Sequence, residues 1–398
     1  MRALTSRPTG ITKTARMHAP EELRAWLILL RTPQFAAARL RELLVETRDA
    51  TAALARLLRR ASSLDEAARA WLAQPDEVLL AADLAWLGLS DHRLLCCTEE
   101  DFPPQLEAIP QPPAALFVVG DAGLLLRPQV AIVGSRSAGP VGLANAREFS
   151  AALTEAGLLV TSGMADGIDG AAHEAALDAG GATVAVIGTG PDRVYPQKHL
   201  ALARRIAAAG AIVSEYPPGT PARPDHFPRR NRIIAGLALG TLVVEAGKRS
   251  GSLITARLAG EQGREVFALP GSIHNPLAAG CHELIGDGAR LVQGPDEIVR
   301  ALAPAARELG NELAARLAAE PADRPRPGVP AEPAWRSDPE YRRLLDAMGY
   351  DPAALDELVV RSGLRAAALS SMLLMLELEG VVAGLPGNRY QRLPDASA

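Results

Sequence analysis

The stretch HFPRRNRIIAG, residues 226–236, gathers Arg229, Arg230 and Arg232 around Asn231 at the head of an apolar run that reaches Leu239. A helix start exposes unpaired N–H groups and carries partial positive charge, so cations there are locally unfavourable unless an anion joins them. Two other stretches repeat the design. In VGSRSAGPVG, 133–142, a tight glycine turn through Gly134 and Ser135 leads into a helix with Arg136 projecting. Backbone N–H groups at such a turn bind anions. In EAGKRSGSLITA, 245–256, Lys248 and Arg249 precede Ser250, Gly251 and Ser252, whose hydroxyls open the next helix. YPQKHL, 195–200, brings Lys198 and His199 as a further anion contact. Taken alone, Arg136 and Arg230 are expected to be removable with little loss of stability, because only a bound anion offsets their placement.

Several better-known chemistries do not fit. The glycine turn lacks Lys-Ser/Thr after Gly139, where Pro140 and Val141 stand, so Walker-type hydrolysis is excluded. It is not GxGxxG, and no convincing acidic partner stands about 20 residues on. Asp169 and His173 have i, i+4 spacing but no third metal ligand, which predicts a buried hydrogen-bonded pair. Cys281 and His282 are adjacent, a poor geometry for a nucleophile and its base. No metal or cofactor is expected.

The 398 residues favour two or three domains, and 48% hydrophobic content suffices for their cores. A formal net charge of −4 provides no global field for nucleic acid or membrane, so anion binding must come from local patches. One polyphosphate-sized ligand does not need arginines on three loops plus Lys198. A running phosphate backbone does, and single-stranded nucleic acid is held by such a groove with bases stacked on aromatics. Aromatics make up only 4% of the chain; Tyr195, Tyr216 and Phe227 are the candidates. Cys96, Cys97 and Cys281 form neither a disulfide framework nor CxxC spacing, which fits a reducing cytoplasm. Residues 1–19 lack an apolar signal core and are expected to be a disordered tail. The apolar run 26–30 is too short to span a bilayer.

These loops must be positioned by regular elements. Residues 20–88 have helical periodicity, and the turn RTPQFAAAR carries Gln34 and Ala36 where a DNA-binding helical hairpin needs glycines. This domain is therefore read as structural or as an interaction module. Between 89 and 300, runs such as QVAIVG, LLVTSG, TVAVIG, AIVSEY and TLVVEA alternate with alanine-rich helical segments, which predicts an α/β domain with a parallel sheet. Ligands collect at the carboxyl ends of such strands. Residues 301–336 are proline-rich and predict a linker. Residues 337–398 predict three helices and a hairpin around Gly387 and Asn388, a winged helix. The segment 366–379 has only Arg365 nearby against Glu377 and Glu379, so a protein contact or weak duplex binding is expected of this tail rather than base reading.

VAIVGSR, SGMADGIDGAAH, FPRRNRIIAG, SGSLITA and FALPGS occur in this order, and from Pro103 to Gly294 the chain resembles the DNA-processing protein A (DprA/Smf) family. The resemblance implies an extended Rossmann-like domain flanked by an N-terminal SAM-like helical domain and a C-terminal winged helix. It implies a cytoplasmic protein without enzymatic activity that binds and protects single-stranded DNA. It also implies a homodimer formed through the Rossmann-like domain that loads the RecA recombinase in natural transformation, with no membrane role. Carried over to this chain, the basic pocket uses Arg136, Lys198 and the stretch Phe227 to Asn231, with Ser250 to Thr255 nearby. Joined with the cationic loops, the DNA-binding set is Gly134, Ser135, Arg136, Lys198, His199, Phe227, Arg229, Arg230, Asn231, Arg232, Lys248, Arg249, Ser250, Gly251, Ser252 and Thr255. Asp166 departs from the family, which usually has arginine or a similar residue there, and His282 stands where asparagine is frequent. The competing reading is a nucleotide phosphoribohydrolase on a related fold. Glu245 sits at a strand end as that enzyme needs, but LPGSIHNPLAAG, 269–280, lacks its GGxGT.

Overall fold

Five helices open the structure, a computed structural model that describes residues 19–35, 37–318, 339–349, 353–364, 369, 372–373, 376, 381–385 and 389–392. The expected tail, apart from Ala19, lies outside these residues. The helices are α1 (Pro20–Arg31), α2 (Ala37–Thr47), α3 (Ala50–Arg59), α4 (Glu66–Ala73) and α5 (Glu77–Leu87). Asp49, Asp65 and Asp76 accept N–H bonds from the first turns of α3, α4 and α5, the usual device for starting a helix. Trp26, Leu27 and Leu29 of α1 are buried in the same apolar core as Leu95, Leu116 and Phe117 of the sheet that follows. The helical segment thus shares its core with the sheet. Arg31 strengthens the join, bonding buried Asp83 at 2.6 Å and the Pro218 carbonyl at 2.8 Å.

Nine strands form one sheet: β1 (His92–Cys96), β2 (Ala115–Gly120), β3 (Gln129–Val133), β4 (Leu159–Ser162), β5 (Thr183–Ile187), β6 (Ala211–Ser214), β7 (Gly240–Val243), β8 (Glu265–Ala268) and β9 (Arg290–Leu291). Their order is β1-β2-β6-β5-β4-β3-β7-β8-β9. β6 through β9 are parallel, and β1 and β2 add antiparallel at one side. Every residue of β3, β4, β5, β6 and β7 is buried, as a sheet covered on both faces requires.

Short α6 (Pro104–Glu107) precedes β2; α7 (Pro140–Glu155), α8 (Ile168–Asp178), α9 (Leu200–Ala209), α10 (His226–Leu237), α11 (Ser252–Glu261) and α12 (Ala279–Gly286) follow successive strands from β3 on. α7 and α8 pack with Val130 and Ile132 on one face, while Ile233, Ile234 and Leu237 of α10 join Ala131 and Val133 on the other. The chain winds outward from β3 to β6, then crosses to β7 and winds the other way. The switch between β3 and β7 is where such folds open a ligand crevice.

The linker expected from 301 is corrected. α13 (Pro295–Ala318) continues through it, with Leu302 and Leu309 buried beside β3 and α7. Ile298, Leu302 and Leu309 keep one helical face apolar, and this burial outweighs the hydrogen bond lost at Pro304. The rest of that segment, 319–336, lies outside the described residues.

Residues from 320 on form a second unit. It contains α14 (Pro339–Met348), β10 (Ala353–Ala354), α15 (Leu355–Ser362), β11 (Val382–Leu385) and β12 (Arg389–Arg392), with strand order β10-β12-β11. Leu344, Leu358, Leu373 and Val382 share its core, and Gly363, at φ 70°, ends α15 in the left-handed conformation. β11 and β12 make the expected antiparallel wing; its apex, 386–388, lies outside the described residues.

Candidate nucleic-acid interface

The loops that follow β3 and β7 meet at the switch point. Ser135 N donates to the Glu245 carbonyl at 2.7 Å, which ties the two strand ends together. The Glu245 side chain, 8% exposed, turns onto the start of α7. Its Oε2 accepts from Gly139 N at 3.0 Å, and Asn275 Nδ2 lies 3.5 Å from Oε1. Gly142 has no room for a Cβ because this carboxyl group rests against it. The helix start expected to attract an external anion through its backbone therefore already holds an internal one.

The arginines of α10 divide. Arg230 is 4% exposed, and its Nη1 donates to the carbonyls of Gly163 and Val186, bridging the ends of β4 and β5. Asp169 sits close by, accepting from Gly163 N at 3.1 Å and Ala165 N at 3.4 Å. Burial raises the Asp169 pKa against the pull of Arg230, and burial lowers that of Arg230 to about 10. The expectation that Arg230 is free to be removed is corrected, because it is a buried strut. Its spacing explains this: Arg230 shares a helical face with Ile233, Ile234 and Leu237, all buried. Arg232 is also engaged, gripping both Glu215 oxygens at 2.5 and 2.6 Å. Arg229 points outward and is exposed.

On the outside, Arg136 is exposed and its guanidinium lies 5.6 Å from the centre of the Phe227 ring. Tyr195, 50% exposed, places its own ring 5.5 Å from that of Phe227. One turn along α10, Asn231 Nδ2 approaches the Gly251 carbonyl at 3.4 Å, and its Oδ1 accepts from Arg230 Nε. The ridge thus runs from Tyr195 through Phe227 and Asn231 to the start of α11. There Lys248 and Arg249 are exposed, and Ser250 Oγ contacts Ser252 Oγ at 2.7 Å. Ser252 and Thr255 are buried. Tyr216 is half-buried and stacks on His226 at 4.0 Å, and burial pushes its pKa to about 12.

Lys198 is exposed but answers Asp166, with Nζ 3.0 Å from Oδ1 in a contact of charge rather than a well-aligned hydrogen bond. His199 approaches the same oxygen at 3.4 Å through Nε2, while its Nδ1 contacts the Met164 carbonyl. Asp166 therefore removes much of the local positive charge that Lys198 brings.

Asp169 and His173 are buried, yet they do not pair with each other, which corrects that expectation. His173 Nδ1 bonds Thr183 Oγ1 at 2.8 Å, and burial lowers its pKa to about 3. Since Thr183 donates onward to the Val160 carbonyl, the imidazole is neutral with its proton on Nδ1. Cys281 is buried with its pKa raised to about 11, and neighbouring His282 contacts Gly271 instead. Among the described residues no three His, Cys, Asp or Glu side chains converge as a metal site. No described helix is long and apolar enough to cross a membrane.

Sequence reasoning missed the inward turn of Glu245 and the Glu215 partner of Arg232. A signal for the first existed: an acid ending the apolar run TLVVEA must be buried, and a buried carboxylate needs N–H donors.

Comparison with known proteins agrees with this architecture. The family model described as DNA recombination-mediator protein A matches residues 93–303, and that of the DprA winged helix domain matches 318–388. Protein Smf of Escherichia coli (strain K12) is 41% identical over 320 residues, covering 79% of this chain and 81% of the relative. DNA processing protein DprA of Streptococcus pneumoniae is 47% identical over 201 residues, 50% of this chain and 71% of the relative. The X-ray structure of the DNA processing protein A from Streptococcus pneumoniae superposes with a TM-score of 0.63 at 36% identity, covering 70% of this chain and 97% of that one.

Proposed function

This chain belongs to the DNA recombination-mediator protein A family, and we propose that it binds single-stranded DNA along the carboxyl edge of its sheet. The observation that carries this reading is the group of exposed Arg136 and Tyr195 on either side of half-buried Phe227. Base stacking on aromatics contributes about 1–3 kcal/mol per base and is indifferent to sequence, while an adjacent guanidinium meets the phosphate. Exposed Arg229, Lys248 and Arg249 extend the positive track, exposed Gly251 and the Ser250 hydroxyl lie beside it, and Gly134 and Ser135 form the turn that presents Arg136. Arg230, Arg232 and Asn231 shape the track from within, and Lys198 and His199 contribute according to how far Asp166 releases them.

The bound strand is protected and handed to the RecA recombinase, a role that rests on the family's description as a recombination mediator. The protein acts as a homodimer through the sheet domain. β9 ends the sheet with both residues exposed, and an open edge is suited to pairing with a second copy. A cytoplasmic location fits its free, buried cysteines.

The phosphoribohydrolase alternative needs a glutamate open to substrate. Glu245 is instead turned onto Gly139 N, which favours binding over hydrolysis.

Fluorescence anisotropy with labelled oligodeoxythymidines of increasing length, set against duplexes of equal length, tests the reading. Affinity is expected to rise with length and to favour single strands. Equal affinity for duplex, or release of free base from a nucleoside monophosphate, rejects it.

A further inference from the structure

The crevice at the β3–β7 switch is the place where doubly wound sheets receive a ligand's phosphate, against the N-terminus of the first crossover helix. In this chain α7 supplies the parts for it. Gly139 and Gly142 leave the approach free of side chains, Pro140 fixes the first turn, and that turn carries no acid of its own. The space is nonetheless taken. Glu245 reaches across from the end of the neighbouring strand, 106 residues along the chain, and sets its carboxylate on Gly139 N and against Gly142. Its backbone is fixed by Ser135 N, and Asn275 flanks its other oxygen.

We propose that Glu245 is a built-in anion that bars phosphate monoesters, nucleoside monophosphates among them, from the switch-point crevice. A mere helix cap does not need this arrangement. α3, α4 and α5 are each capped by an aspartate at the cap position itself, whereas α7 has glycine there and imports its acid across the crevice. The carboxylate stands where a phosphate's oxygens would, so it excludes a second anion by volume and by charge repulsion. The outer edge then remains for a phosphodiester strand, a consequence that rests on the DNA-binding reading above; the exclusion itself does not.

Isothermal titration of AMP, and separately of inorganic phosphate, into the full-length protein and into Glu245→Ala and Glu245→Gln tests this. Glu245→Ala removes bulk and charge and is expected to bind AMP about tenfold or more tightly than the unaltered protein. Glu245→Gln keeps the bulk and is expected to gain less. AMP affinity unchanged in a Glu245→Ala protein that retains its melting transition overturns the proposal. So does loss of the melting transition in both variants, which makes the carboxylate purely structural. Oligonucleotide binding by the unaltered protein, measured alongside, reports separately on the DNA-binding reading.

Discussion

The starts of α7 and α11 flank the same switch point and look alike in sequence, each a glycine–serine turn beside a cation with no acid in its own first turn. In three dimensions they differ. α7 is closed by Glu245 and backed by α8, whereas α11 opens on exposed Lys248, Arg249 and Gly251. α10 repeats the contrast within one turn, since Arg230 is buried among strand ends while Arg229 faces outward. The type of residue at a helix start therefore says that an anion is wanted. Burial decides whether the protein supplies it.

The closed side should respond most strongly to mutation. Arg230→Ala leaves the Gly163 and Val186 carbonyls without their donor and Asp169 buried beside an empty space. A loss of roughly 3 kcal/mol is expected, read as a lowered melting temperature. An unchanged melting temperature would place Arg230 among the outward cations and break the comparison.

His173 gives the next largest effect. It is neutral when folded, with a pKa of about 3, but titrates near 6.5 when unfolded. The unfolded chain thus binds the extra proton, and stability falls as pH drops below 6.5, by about 2 kcal/mol at pH 5. Asp169, with its pKa raised by burial, acts in the opposite sense at pH values above its unfolded 3.8, and that contribution is common to the unaltered protein and a His173 variant. His173→Gln is expected to flatten the decline between pH 6.5 and 5. Chemical denaturation of both proteins across that range checks this, and parallel curves would contradict it.

On the open side, Arg136→Ala should leave the melting temperature unchanged and weaken oligonucleotide binding about tenfold, through one lost phosphate contact and a less supported Phe227. A large drop in melting temperature would move Arg136 to the closed side. The smallest change is expected from Asp166→Asn. Freeing Lys198 should raise affinity about two- to threefold, within the range of a partly exposed ion pair. Weaker binding would mean that the pair positions the strand.

The sheet, its strands and the winged tail were legible because buried parallel strands are apolar throughout, as QVAIV and TVAVI are. The cationic loops were legible too, since strand order puts them on one edge. The direction of each side chain was less so. Arg230 has the local sequence of a helix-start cation, although its i+3, i+4 and i+7 neighbours Ile233, Ile234 and Leu237 mark an inward face. Glu215 and Glu245 come from other strand ends, and their pairings are long-range contacts that no local spacing encodes. Proline density hid α13, whose leucines find their partners only once β3 and α7 are in place.

The central claim is that the exposed cations of this edge hold a phosphodiester strand, and the salt dependence of oligonucleotide binding by the full-length protein tests it most directly. If Arg136, Arg229, Lys248 and Arg249 each neutralise one phosphate, the logarithm of the binding constant should fall linearly with the logarithm of salt, with a slope of about −3. A slope near zero would contradict the account.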